Sequence, residues 1–214
     1  RLFTVESNGK LYISGMTLQN GWGGDDGGGG VYAQPNATII TETCLWDSIS
    51  ALGHGGAIAA KHAANLTLRG INTFSGCSSS SSESRGGAIY LDVATLTAQG
   101  NVRFENCSTG GKGGGLYMAS SSRLIVEEAT SLSFSSCTAG SQAGDNGGAM
   151  CSYDSTVTVS SNATVSFENN SVPVKGNGGG IFAKNTSIAM KGGANISFIN
   201  NHAGDDGGGM FLSG

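Results

Sequence analysis

The chain has 214 residues, of which 37 are glycine and 2 are proline, and only 12% are charged. Its formal net charge of −4, without a cluster of Lys or Arg, argues against a nucleic-acid partner. The glycines lack the strict period of collagen, the 38% hydrophobic content can supply a core, and no stretch approaches the ~18 apolar residues of a membrane-spanning helix.

A four-residue motif, Gly-Gly-(Ala/Gly)-aliphatic, recurs along the chain. Successive copies start 27, 31, 27, 34, 31 and 29 residues apart. A repeat with a period of about 20–50 residues indicates a solenoid, a propeller or a similar array. The seven copies begin at Gly28, Gly55, Gly86, Gly113, Gly147, Gly178 and Gly207.

A second motif, Phe-x-x-(Cys/Asn), keeps step with the first. Its copies begin at Phe74, Phe104, Phe134, Phe167 and Phe198, with degenerate copies at Leu18 (LQNG) and Thr41 (TETC). The two motifs therefore mark the same repeating unit.

A third apolar patch lies between the two motifs of each repeat and alternates with Ser, Thr and Ala, which favours short strands. In chain order the patches are Ile39–Ile40, Leu66/Leu68, Leu96, Leu124–Val126, Val157/Val159 and Ile188. Three strands and one polar loop per ~30 residues predict an all-β fold, a right-handed single-stranded parallel β-helix of about seven rungs. We expect residues 1–214 to form one such segment, which begins with the strand at Leu2–Val5 and belongs to a longer chain.

Equivalent residues of such a solenoid stack along its axis. The aliphatic residue of each glycine motif is expected inside, and the phenylalanines are expected to form a second internal column. A glycine just before the strand indicates a positive φ or a close backbone contact. The internal aliphatic residues are Val31, Ile58, Ile89, Leu116, Met150, Ile181 and Met210.

The pairing of GGA(I/L/V) with FxxN resembles the repeat of the chlamydial polymorphic membrane proteins, which are autotransporter-type surface proteins with a β-helix passenger. Phe167–Asn170 and Phe198–Asn201 match FxxN, and the motifs at Gly55 and Gly86 match GGAI. The departures are cysteines in place of Asn in three repeats and GGG in four motifs. The resemblance implies a surface location and adhesion rather than catalysis.

The cysteines form the next group of candidates. Cys44, Cys77, Cys107 and Cys137 are expected in one column, three residues after the phenylalanine position, with Cys151 outside it. Stacking at ~4.8 Å permits disulfides between adjacent rungs, and a ladder of free buried thiols is the alternative. A one-dimensional stack does not make a tetrahedral metal site.

Seven Asn-x-(Ser/Thr) sequons mark possible N-glycosylation sites. Because such glycans require a eukaryotic source, the sequons leave open a eukaryotic filament or appendage glycoprotein. The acceptors are Asn36, Asn65, Asn106, Asn162, Asn169, Asn185 and Asn195.

Acidic pairs offer another candidate site. GDDGGG occurs at Gly24 and at Gly204, and GHGG occurs at Gly53. Polygalacturonases, which share this type of fold, use GDD and GHG, but their Asn-Thr-Asp and Arg-Ile-Lys motifs are missing here. A polysaccharide-cleaving enzyme is thus the alternative from another functional class. We expect no catalytic residue, cofactor or metal, apart from weak calcium candidates at Asp25, Asp26, Asp205 and Asp206.

Aromatic residues follow the internal aliphatic column by one position in most rungs. Since strand side chains alternate between faces, this second column is expected to point outward. An exposed row of rings would suit a glycan or a protein partner. The proposed binding residues are Tyr32, Tyr90, Tyr117, Phe182 and Phe211.

These patterns together predict a non-enzymatic extracellular or cell-surface rod that serves adhesion or structural assembly. The expected partner is a protein or glycan at a surface, and open solenoid ends would allow homo-assembly or continuation of the parent chain.

Overall fold

The computed structural model describes residues 1–142 and 144–214 as an all-β solenoid of about seven turns, with equivalent positions about 30 residues apart. All strand pairs are parallel, which confirms the predicted parallel β-helix. In the described part of the chain, no helix is long and apolar enough to cross a membrane.

The first sheet contains the strands that follow the glycine motifs. Among the described residues, each of these strands pairs only with its equivalents in the rungs before and after it. The eight strands are Phe3–Val5, Val31–Ala33, Ile58–Lys61, Ile89–Asp92, Leu116–Ala119, Met150–Tyr153, Ile181–Lys184 and Met210–Ser213.

The second sheet has twelve strands in two rows, which meet at a bend. The first row contains Lys10–Ser14, Thr38–Glu42, Arg123–Val126, Thr156–Val159 and Ser187–Met190, and the second contains Thr17–Gln19, Leu45–Asp47, Ser131–Ser135, Thr164–Glu168 and Asn195–Ile199. Asn65–Ser75 and Thr95–Glu105 run through both rows without a break.

Short strands close each rung before the variable loop. They form one four-stranded and one two-stranded sheet, joined through isolated bridges at Thr138. The strands are Trp22–Gly23, Ser50–Ala51, Ser78–Ser79, Ser108–Thr109, Ser171–Val172 and His202–Ala203.

The register of the strands stacks like residues in columns. Ile89 pairs with Ile58 on one side and Leu116 on the other, and the same column continues at both ends of the first sheet. All seven predicted aliphatic residues lie in this column, and the six from Val31 to Ile181 are buried. Phe3 adds an eighth member that the motif did not reveal.

The inner aromatic column consists of Trp46, Phe74, Phe104, Phe134, Phe167 and Phe198. From Phe74 to Phe198 the ring centroids of neighbours lie 4.9, 4.6, 5.1 and 5.1 Å apart, and their planes are within 10° of parallel. Trp46 stacks on Phe74 at 5.5 Å. All but Phe198 are fully or almost fully buried. The predicted internal column is confirmed.

Two glycines of each motif are required for different physical reasons. The first glycine has φ between 62° and 73° in all seven copies, and at Gly86 a Cβ would lie 2.0 Å from the carbonyl oxygen of Ile89. The second glycine packs against the neighbouring rung, since a Cβ at Gly87 would lie 2.0 Å from the carbonyl oxygen of Gly114. Both reasons suggested by the sequence, positive φ and close backbone contact, therefore operate in the same motif.

A second left-handed position follows the aromatic column. The residue two places after each column member, and after Leu18 in the preceding rung, has φ between 52° and 59° and turns the chain toward the short closing strand. Asn, Gly and Ser fill it, in keeping with the tolerance of Gly and Asn for this region. Its members are Asn20, Ser48, Gly76, Asn106, Ser136, Asn169 and Asn200.

The register corrects one of the two degenerate motif copies. Leu18 pairs with Trp46, so the copy at Leu18 is confirmed. Trp46 pairs with Phe74, so Trp46 and not Thr41 holds the aromatic position of its rung. Thr41 pairs with Leu68 in the other row of the second sheet. The copy at Thr41 was wrong because a cysteine three residues later imitated the motif.

We predict that Gly86→Ala destabilises the solenoid by at least about 2 kcal/mol, because alanine is strained at a left-handed φ and its Cβ meets the Ile89 carbonyl. Denaturant unfolding followed by circular dichroism measures the change. The matched control is Gly192→Ala, since a Cβ at Gly192 would have no atom within 4 Å and its φ is not in the left-handed region. Equal stability of the two variants would contradict this explanation of the motif.

Candidate functional site

The outer aromatic cluster lies on the face of the first sheet opposite the main core. It contains Tyr90, Tyr117, Cys151 and Phe182, with Tyr153 and Phe211 packed against them. The ring centroids follow one another at 5.6, 6.0, 5.4 and 5.5 Å from Tyr90 to Phe211. The strand alternation inferred from the sequence thus places a second line of rings outside the core.

These rings are not open to solvent, which corrects the expected binding stripe. Tyr90, Tyr117 and Phe182 are only 4–5% exposed, and Tyr32 and Phe211 are half-buried. Burial raises the pKa of the Tyr90 and Tyr117 hydroxyls above their usual range. Tyr90, Tyr117 and Phe182 therefore pack as part of the fold, while Tyr32 and Phe211 stay partly exposed. The binding role expected of the five rings stays a prediction.

Basic side chains cover the outer aromatic cluster. The Arg85 guanidinium carbon lies 5.3 Å from the centre of the Tyr117 ring, and the Lys112 ammonium lies 5.6 Å from that of Tyr153. Lys61 lies over Tyr32 and Tyr90 at 5.6 and 5.8 Å. Cation–π attraction at such distances contributes about 0.5–2 kcal/mol each. We call Lys61, Arg85 and Lys112 the cationic cover.

His54 completes this cover at its N-terminal side. Its ring stacks on Tyr90 with centroids 4.7 Å apart, and its buried Nδ1 has no hydrogen-bond partner in the described chain. Burial, reinforced by the charges of Arg85 and Lys61, lowers the pKa of His54 to about 4. His54 is therefore neutral at physiological pH.

The GDD motif at Gly24 and the GHGG motif at Gly53 lie side by side in successive rungs, because the Gly53 N–H donates to the Gly24 carbonyl at 3.1 Å. Asp25 and Asp26 are exposed, whereas the ring of the GHGG histidine, His54, packs on Tyr90. The carboxylate that influences the pKa of His54 is that of Asp92. Asp205 and Asp206 are also exposed, and no group of three or more potential metal ligands occurs among the described residues.

The cysteine column has different members from those expected. Cys77, Cys107 and Cys137 are stacked, but Ile49 holds the equivalent position one rung earlier, because Ser50 pairs with Ser78. Cys44 lies in another column, where its equivalent in the next rung is Asn72, because Leu45 pairs with Thr73. The predicted set of four is therefore wrong in one member.

All five cysteines are buried free thiols in the structure, which corresponds to the thiol ladder rather than to the disulfides. Burial raises the pKa of Cys107 well above its usual range. The Cys77 pKa is also raised, first through its hydrogen bond with Cys107. A protonated thiol is a weak nucleophile, so Cys77 and Cys107 are not reactive and pack as structural side chains.

Asn and Cys side chains form the same hydrogen bond at this position, as donors to the carbonyl of the aromatic residue one rung earlier. The Asn170 side-chain amide donates to the Phe134 carbonyl at 3.1 Å, and the Cys107 thiol donates to the Phe74 carbonyl at 3.3 Å. Asn170 Oδ1 also accepts the backbone N–H of Cys137 at 2.9 Å, which a thiol cannot match. The interchange of FxxC and FxxN thus has a direct hydrogen-bonding basis.

The sequon asparagines are all exposed. Five of the seven have φ between 50° and 60°: Asn36, Asn106, Asn162, Asn169 and Asn185. Since Asn tolerates this conformation better than most residues, backbone geometry accounts for much of the sequon enrichment. Glycosylation stays a prediction.

Several residues on the outer face of the first sheet were not predicted from the sequence. Tyr153 fills the gap that Cys151 leaves in the line of rings, and its position two residues further on the same strand was a readable signal. His54, Arg85 and Lys112 each directly precede a glycine motif. That shared position places all three over the first sheet, although they differ in type.

Comparison with known proteins supports the repeat. The model of the Chlamydia polymorphic membrane protein (Chlamydia_PMP) repeat matches residues 164–184, which contain both the Phe167 motif and the glycine motif at Gly178. The resemblance seen in the sequence is thereby confirmed over this repeat. No curated protein and no solved structure matches the chain. The match and the solenoid fit a β-helix protein associated with a surface or outer membrane.

Truncation within the Asn/Cys column tests its hydrogen bonds. We predict that Asn170→Ala costs at least about 1 kcal/mol more unfolding free energy than Cys107→Ala, because the amide serves both a buried donor and a buried acceptor. Urea unfolding of both variants measures the difference. A larger loss for Cys107→Ala would contradict the assigned bonds.

The pKa of His54 predicts a pH-dependent stability. Since the folded value of about 4 lies below the unfolded value of 6.5, the unfolded state binds the proton first, and stability falls as pH drops from about 6.5 to about 4. His54→Phe keeps a ring on Tyr90 but removes this contribution. Urea midpoints between about pH 7 and about pH 4 should therefore fall less in the variant. Identical pH profiles would show that His54 is not buried as described.

Proposed function

We propose that this chain is a non-enzymatic, extracellular surface rod that uses its variable loops for adhesion. The observation that carries the proposal is the division between a rigid ladder and its most variable corner. The strands keep their register through every rung, while the segment that leads from the aromatic position to the next glycine pair varies from 9 residues (Phe104 to Gly113) to 13 residues (Phe134 to Gly147). Insertions at one corner of a solenoid are commonly its binding face.

The burial of the outer aromatic cluster supports the loops, rather than the rings, as the proposed binding surface. Because Tyr90 and Tyr117 are covered, the loops above them are what a partner would meet on this side. Loop residues such as Ser82, Glu83 and Val174 are exposed, and Val174 is 44% accessible. The matched repeat comes from a family that is not enzymatic, which agrees with a binding role.

Cell binding by loop variants tests this function. We expect the purified chain to bind cultured epithelial cells, and Ser82→Ala/Glu83→Ala/Val174→Ala to weaken binding severalfold. The control is Arg103→Ala/Thr164→Ala/Glu168→Ala, which alters three exposed residues on the second sheet and should bind like the wild type. Wild-type protein that does not bind would overturn adhesion, and loss only in the control would move the binding face to the sheet.

A further inference from the structure

A polar pocket opens between three successive loops beside the cationic cover, on the outer face of the first sheet. Its volume is about 150 Å³, and its walls include Glu83, Arg85, Lys112, Gln142 and Asp145. These residues lie on the loops that precede the glycine motifs at Gly86, Gly113 and Gly147. The pocket thus brings together two cations and two carboxylates that are up to 62 residues apart in sequence, from Glu83 to Asp145.

The solenoid register holds the two cations in place. Arg85 and Lys112 each directly precede a glycine pair, and their backbones form a parallel bridge. Gly86 N–H donates to the Lys112 carbonyl at 2.9 Å, and Lys112 N–H donates to the Ser84 carbonyl at 3.2 Å. Both side chains are half-buried over aromatic rings, so the guanidinium and the ammonium lie in partly desolvated positions.

The two carboxylates occupy different depths. Glu83 is exposed at the rim, whereas Asp145 is only 6% exposed. Asp145 Oδ2 accepts the backbone N–H of Gln142 at 2.8 Å, which engages one of its oxygens within the loop. Each carboxylate still has acceptor sites for hydroxyl donors. The pocket therefore offers positive charge with nearby hydrogen-bond acceptors.

The volume limits what can enter. A space of about 150 Å³ holds several water molecules and is on the scale of one monosaccharide ring. Drug-sized ligands generally need about 300 Å³ or more. The pocket therefore suits a single small group, such as the terminal residue of a glycan.

We propose that this pocket binds, without cleaving it, a terminal sugar residue that carries a carboxylate. The carboxylate would pair with Arg85 and Lys112, and the sugar hydroxyls would donate to Asp145 and Glu83. Densely sulfated chains fit less well, because they supply few hydroxyl donors for the two acids. This inference deepens the proposed adhesive function and rests on it, since it names the class of ligand that the loops recognise.

The test compares two sugars that differ only at one carbon. Methyl β-D-glucuronide and methyl β-D-glucoside are titrated into ¹⁵N-labelled protein and followed by two-dimensional NMR. The glucuronide should give saturable shifts at the amides of Ser84, Arg85, Gly111 and Gln142, and the glucoside should not. Arg85→Gln and Lys112→Gln should each weaken binding about tenfold to a hundredfold, as expected for a lost charge-assisted bond.

The matched control is Lys61→Gln. Lys61 also lies over tyrosine rings, but it does not line the pocket, so its loss should leave glucuronide binding unchanged. If Arg85→Gln does not fold, Arg85→Lys keeps the charge over Tyr117 and should retain weakened binding. Equal shifts with both sugars, unchanged affinity in the Arg85 and Lys112 variants, or cleavage of polygalacturonate would overturn the proposal.

Cell binding separates this inference from the proposed function. If Arg85→Gln and Lys112→Gln lose the glucuronide but adhere to cells like the wild type, the adhesive role inferred for the pocket is wrong and adhesion stands. If the wild type binds the glucuronide but not cells, the site stands as a sugar pocket, and both adhesion and the adhesive role inferred for the pocket fail.

Discussion

The structure depends on a left-handed backbone turn at the start of each rung, made by the first glycine of the repeated pair. Its positive φ sends the chain from the loop into the strand, and the second glycine lets neighbouring rungs approach within hydrogen-bonding distance. The backbone N–H of Gly56 bonds to the carbonyl of Gly87, and Gly114 bonds to Gly148 in the same way. From Gly29 to Gly179 the N–H of the second glycine of each motif bonds to a carbonyl of the next glycine pair, so loops of different length leave the strands in register.

That register has consequences on both faces of the first sheet. Inside, it stacks the aliphatic residues, while the second sheet stacks the aromatic rings at close to the strand spacing. Outside, it aligns the tyrosines with the residues that precede the glycine pairs, so that Arg85 and Lys112 lie over Tyr117 and Tyr153. The candidate site is thus a product of the repeat, although its charged residues belong to no motif.

The sequence predicted the columns well, because a column needs one residue type in every rung. It failed where a different residue satisfies the same space. Trp46 replaces Phe in one rung, while Cys44 imitates the motif from another column. The sequence also failed to predict that Tyr90 and Tyr117 are buried. Strand alternation shows which face of the sheet the two rings occupy, but it does not show which side chains cover them. The pocket could not be read from the sequence, because only the stacking of loops brings Arg85 close to Asp145.

Amide hydrogen exchange at the glycine pairs tests the central claim most directly. Glycine-rich segments outside strands generally exchange quickly, because few contacts protect them. Here the amides of Gly56, Gly87 and Gly114 bond to the next rung, so they should exchange as slowly as the amide of the buried strand residue Phe104. Exchange as fast as that of the exposed turn residue Gly192 would contradict the account.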